Sequence, residues 1–374
     1  MSRLSTSVQS PALRATRPLL RWAEKLTTPF LPDDYLEQLN PLWSNRAIHA
    51  KVLAIRPQTA DAATLVLQAG RGWTGHVAGQ YLRVAVPVNG VRHWRCYSIT
   101  SLPQADDGTL HITVKAVESG RVSTELVRNI TVGSHLEIAA AAGDFTWAAQ
   151  GATPPEKVLM IAAGSGITPV MALLQDAAAR KAMPDTVLLH YARTAADVIF
   201  GDALQALAAA HPALKIVTIH TRGDGTLKGH FGAEHLRAAC PDWAHRATWA
   251  CGPAALLDTV EAQWAACGLS SQLTLERFQP KVTACNAGAR GGQIAFTASG
   301  CAAASAGDAP ILITAEAAGL APANGCRMGI CHGCTATLQS GQVRDLRDGR
   351  VFGEEGDLIQ ICVCAPAGDV QIAL

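Results

Sequence analysis

Apolar and polar positions follow different rhythms along the chain, and each rhythm predicts its own architecture. From about Arg46 to Gln150, short β-type runs such as Thr64-Leu-Val-Leu and His111-Ile-Thr-Val-Lys-Ala-Val recur between glycines and prolines. Short runs of this kind, bounded by turn formers, predict an antiparallel β-barrel. From about Gly151 to Phe278 the runs become apolar throughout: Val158-Leu-Met-Ile-Ala-Ala, Val187-Leu-Leu-His-Tyr, Ile216-Val-Thr-Ile-His and Ala247-Thr-Trp-Ala, each leading into a helix-like stretch. Strands apolar on both faces must be covered on both, so this alternation predicts a doubly wound parallel α/β sheet. Residues 279–292 read as a linker and 293–374 as a third unit. Residues 1–45 form an N-terminal extension in which Leu19, Trp22, Ala23 and Leu26 recur at helical spacing. Arg14, Arg17, Arg21 and Lys25 fall on another face of that helix, with Pro18 placed to start it and Pro29 to end it.

A chain of 374 residues has room for two or three such units. Its 31 basic side chains nearly balance 30 acidic ones, so there is no electrostatic footprint for nucleic acid. No apolar run reaches the roughly 18 residues needed to span a bilayer. The N-terminus lacks an apolar signal-peptide core with a cleavage site, so the sequence expects a cytoplasmic protein. The basic amphipathic helix leaves two readings open. It can lie peripherally at the inner face of a membrane, or pack its apolar face on the barrel.

Eleven cysteines in a long chain without a secretory signal point to thiols kept reduced for chemistry, not to a disulfide framework. Four of them dominate. Cys326-Arg-Met-Gly-Ile-Cys331-His-Gly-Cys334, followed at a distance by Cys362, has the C-x4-C-x2-C…C spacing of a plant-type [2Fe-2S] site. A zinc site more often pairs two C-x2-C hooks, and only Cys331 and Cys334 make one here. Gly325, Gly329 and Gly333 are expected to supply the positive-φ freedom that lets a short loop turn its thiolates inward. Cys364 competes with Cys362 for the fourth position, because residues two apart on a strand point the same way.

Two stretches upstream can bind nucleotides. Ile161-Ala-Ala-Gly164-Ser-Gly166-Ile-Thr168-Pro169 joins a strand to a helix. Its glycines allow close approach of a diphosphate to the helix N-terminus. The third glycine of G-x-G-x-x-G is missing, which disfavours an ordinary Rossmann dehydrogenase. The other is Arg95-Cys-Tyr97-Ser98-Ile-Thr100, in which Arg95, Tyr97 and Ile99 share one strand face and Cys96, Ser98 and Thr100 the other. Downstream, Gly120-Arg-Val-Ser123-Thr124 opens a short helix, a further anion site. After the strand ending at Tyr191, Ala192-Arg193-Thr194 carries no acid before Asp197. An arginine there accommodates the 2′-phosphate of NADPH, where an acid would favour NADH; Arg222 and Lys228 can assist.

Taken in order, Arg95-Cys-Tyr-Ser-Ile-Thr100, Gly120-x-x-Ser123-Thr124, Gly164-Ser-Gly-Ile-Thr-Pro169, Cys251-Gly252-Pro253 and Glu276-Arg-Phe278 resemble the motifs of the ferredoxin-NADP reductase superfamily. With the cysteine domain added, the chain from about Arg46 onward resembles flavin and iron-sulfur reductases that feed oxygenases and desaturases. The resemblance implies an FAD-binding barrel over 46–150, a nicotinamide domain over 151–278 and a ferredoxin-like β-grasp [2Fe-2S] domain over 293–374. It assigns Arg95 to the flavin diphosphate, Tyr97 to the flavin ring, Ser98 to the neighbourhood of N5, and Ser123 and Thr124 to the FAD diphosphate. Gly164 to Pro169 would cradle NADPH, Cys251 would line the nicotinamide pocket, and Phe278 would cover the flavin beside Glu276. It also favours Cys362 as fourth ligand, since that ligand typically stands four residues before a proline, here Pro366. Where many relatives have proline before glycine, this chain has Ala142-Gly143. The segment Phe30–Ser44 resembles the N-terminal region of reductases that serve membrane acyl-lipid or acyl-CoA desaturases. That makes a fatty-acid desaturase the expected redox partner, with a soluble aromatic-ring or alkyl oxygenase as the alternative and a non-enzymatic redox sensor as the reading of another class.

Overall fold

Residues 32–88, 90–105, 107–118, 120–151, 155–223, 227–279, 291–329 and 332–374 are described by a computed structural model. The expected amphipathic helix of the extension and most of the expected linker lie outside them. The described part of the extension is a helix, α1 (Pro32–Leu39), and a single turn, Pro41–Trp43, opened by Asn40, whose side-chain oxygen accepts the Leu42 N–H at 3.1 Å. This piece packs on the next domain. Arg71 N–H donates to the Leu42 carbonyl at 2.8 Å. A Cβ on Gly70 would stand only 2.5 Å from that oxygen.

The barrel is built from β1 (Ile48–Thr59), β2 (Ala62–Ala69), β3 (Tyr81–Val88), β4 (Val91–Ser98), β5 (Thr109–Lys115) and β6 (His135–Ile138), in the order β4-β3-β6-β1-β2-β5. Its strand pairs are antiparallel, and an Ile99–Ile112 bridge brings the two edges together. Alternate side chains such as Leu65, Leu67, Leu82, Val84 and Ile112 fill the interior, which is why the runs read as strands with a buried face. One end is plugged by α2 (Arg121–Thr124) and the wider turn that continues it, whose Leu126 is fully buried.

The second unit alternates β7 (Lys157–Ala163), α3 (Ile167–Ala179), β8 (Asp185–Ala192), α4 (Gly201–Ala210), β9 (Leu214–His220), α5 (Ala233–Ala239), β10 (Ala247–Cys251), α6 (Ala254–Ala266) and β11 (Leu273–Glu276). All pairs are parallel, in the order β11-β10-β7-β8-β9. Met160, Leu188 and Trp249 face one hydrophobic core and Leu159, Ile161 and Leu189 another. That two-sided burial is the cause of the unbroken apolar runs. Strand order reverses between β7 and β10, so a crevice opens beyond their C-terminal ends. Trp249 ties this sheet to the barrel's last turn, edge-on to Trp147 at 5.3 Å and donating to the Thr146 carbonyl at 3.3 Å.

The third unit comprises β12 (Gly292–Phe296), β13 (Cys301–Ser305), α7 (Ile311–Ala317), β14 (Thr335–Ser340), β15 (Val343–Asp345), β16 (Val351–Phe352), β17 (Leu358–Gln360), β18 (Cys364–Pro366) and β19 (Val370–Ala373). A five-stranded mixed sheet, β13-β12-β19-β14-β17, buries Phe296, Leu338 and Ile372 with Ile311, Leu312 and Ala315 of α7. A small sheet, β16-β15-β18, flanks it.

Candidate cofactor site

Strand β4 carries the first group of site residues, paired so that Tyr81 stands opposite Ser98 and Val84 opposite Arg95. The Arg95 guanidinium is half-buried and donates through Nη1 to Trp94 O at 2.7 Å, and to Asn324 Oδ1 and Gly325 O at 3.3 Å each. Tyr97 packs against the barrel core, and burial raises its hydroxyl above the ordinary tyrosine range. Ser98 Oγ is buried without a hydrogen-bond partner among the described residues. A buried donor left over by the protein is what a bound polar group would satisfy, so Ser98 fits a flavin edge. Thr100 departs from the expectation. Its hydroxyl is spent inside the barrel, on His111 O at 3.3 Å and Thr113 Oγ1 at 3.4 Å.

The helix opening at Gly120 uses the Ser123 hydroxyl and one amide internally. Ser123 Oγ accepts Val117 N–H at 3.2 Å and donates to Gly120 O at 3.3 Å, and Thr124 N–H donates to Gly120 O at 3.0 Å. These groups hold the turn. The amides left over by helix geometry for an anion belong to Arg121, Val122 and Ser123. Gly120 itself cannot carry a side chain, since a Cβ would meet Ser123 Oγ at 2.5 Å. The turn lacking proline is fixed in another way: Tyr81 and Ala142 exchange two backbone hydrogen bonds of 2.9 Å, and Gly143 takes φ +109°.

The glycine turn after β7 and the end of β10 meet at the crevice. A Cβ on Gly166 would stand 2.1 Å from the Cys251 carbonyl, so only glycine lets these two strand ends close up. Gly164 takes φ +54° with open space beside it, Thr168 Oγ1 caps its own turn on Ser165 O at 2.9 Å, and Pro169 is buried in α3. Cys251 is fully buried and burial pushes its thiol far up, which suits a pocket wall and not a thiolate nucleophile. In register with it on β11 is Glu276, whose carboxyl is pushed up to about 8 by burial and whose Oε2 has no partner among the described residues. Gly252 lies at the strand end, Pro253 caps α6, and the Phe278 ring is half exposed.

Arg193 is exposed and already holds two surface ion pairs. Its Nη2 pairs with Asp61 at 2.8 Å and with Asp197, and Asp61 also holds Lys115. Asp197 folds back because Thr194 and Asp197 form a capping box, Thr194 Oγ1 donating to Asp197 Oδ2 at 2.7 Å. The T-x-x-D spacing was the missed signal: an acid three residues after a threonine returns to the turn. Arg222 and Lys228, both exposed beyond β9, remain as basic groups on that side.

In the cysteine loop Cys326, Cys334 and Cys362 are all buried, and Cys331 lies outside the described residues. Cys334 and Cys362 share a side-chain hydrogen bond that holds the Cys334 thiol below its ordinary range. The Met328 amide donates to Cys326 Sγ at 3.3 Å, and the Gly329 amide faces Cys362. The paired Cys334 and Cys362 thiols, with amides aimed at sulfur, have the chemistry of cluster ligands, although among the described residues no three metal-ligating side chains stand close enough to hold a metal. Two expectations change. Of the three glycines only Gly329 has positive φ, and Arg327 (+59°) and His332 (+54°) make the other reversals. Residues 361–363 form a turn, not a strand, so Cys362 and Cys364 do not share a face; Cys364 lies in β18, its thiol pushed up to about 12 by burial.

Tyr81, opposite Ser98 on β3, was not singled out in the sequence. Burial raises its hydroxyl to about 12, and Cys96, Cys326 and Glu276 add to the shift.

Comparison with known proteins identifies both nucleotide-binding domains. Residues 54–147 match the oxidoreductase FAD-binding domain and 160–262 the oxidoreductase NAD-binding domain. The chain is 41% identical over 354 residues to an NADPH oxidoreductase of Mycobacterium tuberculosis, with 94% of this chain and 90% of the relative covered. The chain belongs to the ferredoxin-NADP reductase family. It is an oxidoreductase with FAD- and NAD(P)H-binding domains. It is also 27% identical over 364 residues to the glycine betaine monooxygenase reductase subunit of Pseudomonas aeruginosa, covering 89% of this chain and 98% of that one. Among solved structures, phthalate dioxygenase reductase, described as a modular structure for electron transfer from pyridine nucleotides to [2Fe-2S], shares the fold. Its TM-score is 0.60 at 23% identity, with 87% of this chain and 97% of that chain covered.

Proposed function

We propose that this protein is the reductase component of an oxygenase system, passing electrons from NADPH through FAD and a [2Fe-2S] cluster to a partner protein. The observation that carries the reading is the meeting of the flavin arginine with the cysteine loop, Arg95 against Asn324 and Gly325, one residue before Cys326. When bound, the flavin takes a hydride from nicotinamide and releases its two electrons singly to a one-electron centre.

The chain's own residues divide the work. Arg95 neutralises the flavin diphosphate with the α2 amides, Tyr97 packs on the ring and Ser98 supplies a buried donor at its edge. Gly164 and Gly166 admit the nicotinamide nucleotide to the crevice. Cys251 walls it, Glu276 is a neutral carboxyl beside that wall at physiological pH, and Phe278 shields the flavin until nicotinamide arrives. Cys326, Cys331, Cys334 and Cys362 hold the cluster. NADPH is favoured over NADH by the 41% identity to an NADPH oxidoreductase, with the exposed Arg193, Arg222 and Lys228 available to meet a 2′-phosphate.

The acceptor reading moves from desaturase to oxygenase. The relative above whose name states an acceptor serves a monooxygenase. The turn Pro41–Trp43 of the desaturase-like segment meets the barrel through the Leu42 carbonyl, and the expected amphipathic helix lies outside the described residues. The test is reconstitution with NADPH and either a soluble oxygenase or desaturase-containing membranes. Product formed only with the oxygenase supports the reading; product formed only with the membranes overturns this choice of acceptor.

A further inference from the structure

We propose that Asn324 is a positioning residue for internal electron transfer, its one amide oxygen holding the flavin arginine Arg95 and the loop arginine Arg327 together. The inference rests on the proposed flavin-to-cluster function. Asn324 Oδ1 accepts from Arg95 Nη1 at 3.3 Å and from Arg327 Nε at 3.2 Å, while its Nδ2 donates to Pro322 O at 3.1 Å. Both oxygen and nitrogen of the amide are used, which fixes which way the side chain faces.

The two guanidiniums repel. After burial, the charge of Arg327 is the largest influence lowering the Arg95 pKa. Asn324 supplies a shared acceptor that offsets this repulsion. Arg327 is anchored from the other side by a two-point ion pair with Glu316 of α7, so the bridge connects β4 of the barrel to the helix of the third domain. Arg95 also donates to the Gly325 carbonyl, whose carbon is bonded to the Cys326 nitrogen. A single hydrogen bond thus separates the flavin arginine from the peptide unit of the first cysteine of the loop. The transfer that this contact serves makes and breaks no bond, one electron passing from reduced flavin to oxidised cluster.

The test compares wild type, Asn324→Ala and Asn324→Asp in the full-length holoprotein. Stopped-flow mixing with NADPH separates flavin bleaching from cluster reduction, and hydrogen exchange of residues 322–327 and of β4 reports docking directly. Loss of a hydrogen bond to a charged group is worth on the order of tenfold in a docking equilibrium. N324A should leave flavin bleaching, iron content and the cluster spectrum as in wild type, slow cluster reduction by about that factor and speed exchange in both segments. N324D, which keeps an oxygen between the arginines but loses the donor to Pro322 O, should move both back toward wild type. Wild-type cluster reduction and exchange in N324A would overturn the proposal. Wild-type protein without iron and sulfide after reconstitution would instead overturn the function on which it rests.

Discussion

At the residue scale the site is marked by polar atoms that the protein leaves unsatisfied. Ser98 Oγ and Glu276 Oε2 are buried with no partner among the described residues. Isolated burial of a carboxylate costs more than neutralising it, so Glu276 stays protonated up to about pH 8. The sign of the effect on stability follows from linkage. Below the ordinary carboxyl range the folded and unfolded states are both protonated, and the full stability is present. As pH rises toward 8 the unfolded chain ionises first, and stability falls. Thermal unfolding between pH 5 and 9 should therefore show a decline, on the order of a few kcal/mol in total, that Glu276→Gln flattens. A variant with the same pH dependence as wild type would mean that Glu276 is not the titrating group.

The family motifs could be read because each combines residue type with spacing: Arg95, Tyr97 and Ser98 on one strand, Gly164 and Gly166 at one turn. What escaped was the competition for each side chain. Thr100 and Ser123 have the right chemistry but spend their hydroxyls on their own domain. Arg193 finds Asp61, distant in sequence and brought near only by packing of the barrel against the nicotinamide domain.

At the scale of elements, β7, β8 and β10 were legible because strands buried on both faces produce continuous apolar runs, and the crevice follows from their order. The C-terminal cysteines were harder. A run such as Leu358-Ile-Gln-Ile-Cys-Val-Cys reads as one strand, but the chain makes β17, a turn at 361–363 and β18. The turn aims Cys362 at Cys334, while β18 places Cys364 beside Asp345, opposite it in β15. Cys362→Ser should thus lose the iron and sulfide of the reconstituted protein, whereas Cys364→Ser should retain both and the visible spectrum. Iron retained in C362S and lost in C364S would reverse the assignment.

At the scale of the whole molecule, three units of different topology are held in one order by specific contacts: Trp147 on Trp249, Arg193 on Asp61, and Arg95 on Asn324 and Gly325. The sequence disclosed the units through their rhythms but not these contacts, which depend on pairs far apart in the chain. Their effect is to set the β4 residue Arg95 against the loop that carries Cys326. In the proposed function this arrangement converts a two-electron donor into a one-electron supply. Anaerobic titration of the iron-replete protein with NADPH tests it most directly. A flavin taking two electrons and a cluster taking one require about 1.5 equivalents per chain, so flavin bleaching should be accompanied by loss of the cluster absorbance as the titration approaches that end point. An end point at about one equivalent, with the flavin bleached and no cluster signal lost, would contradict it.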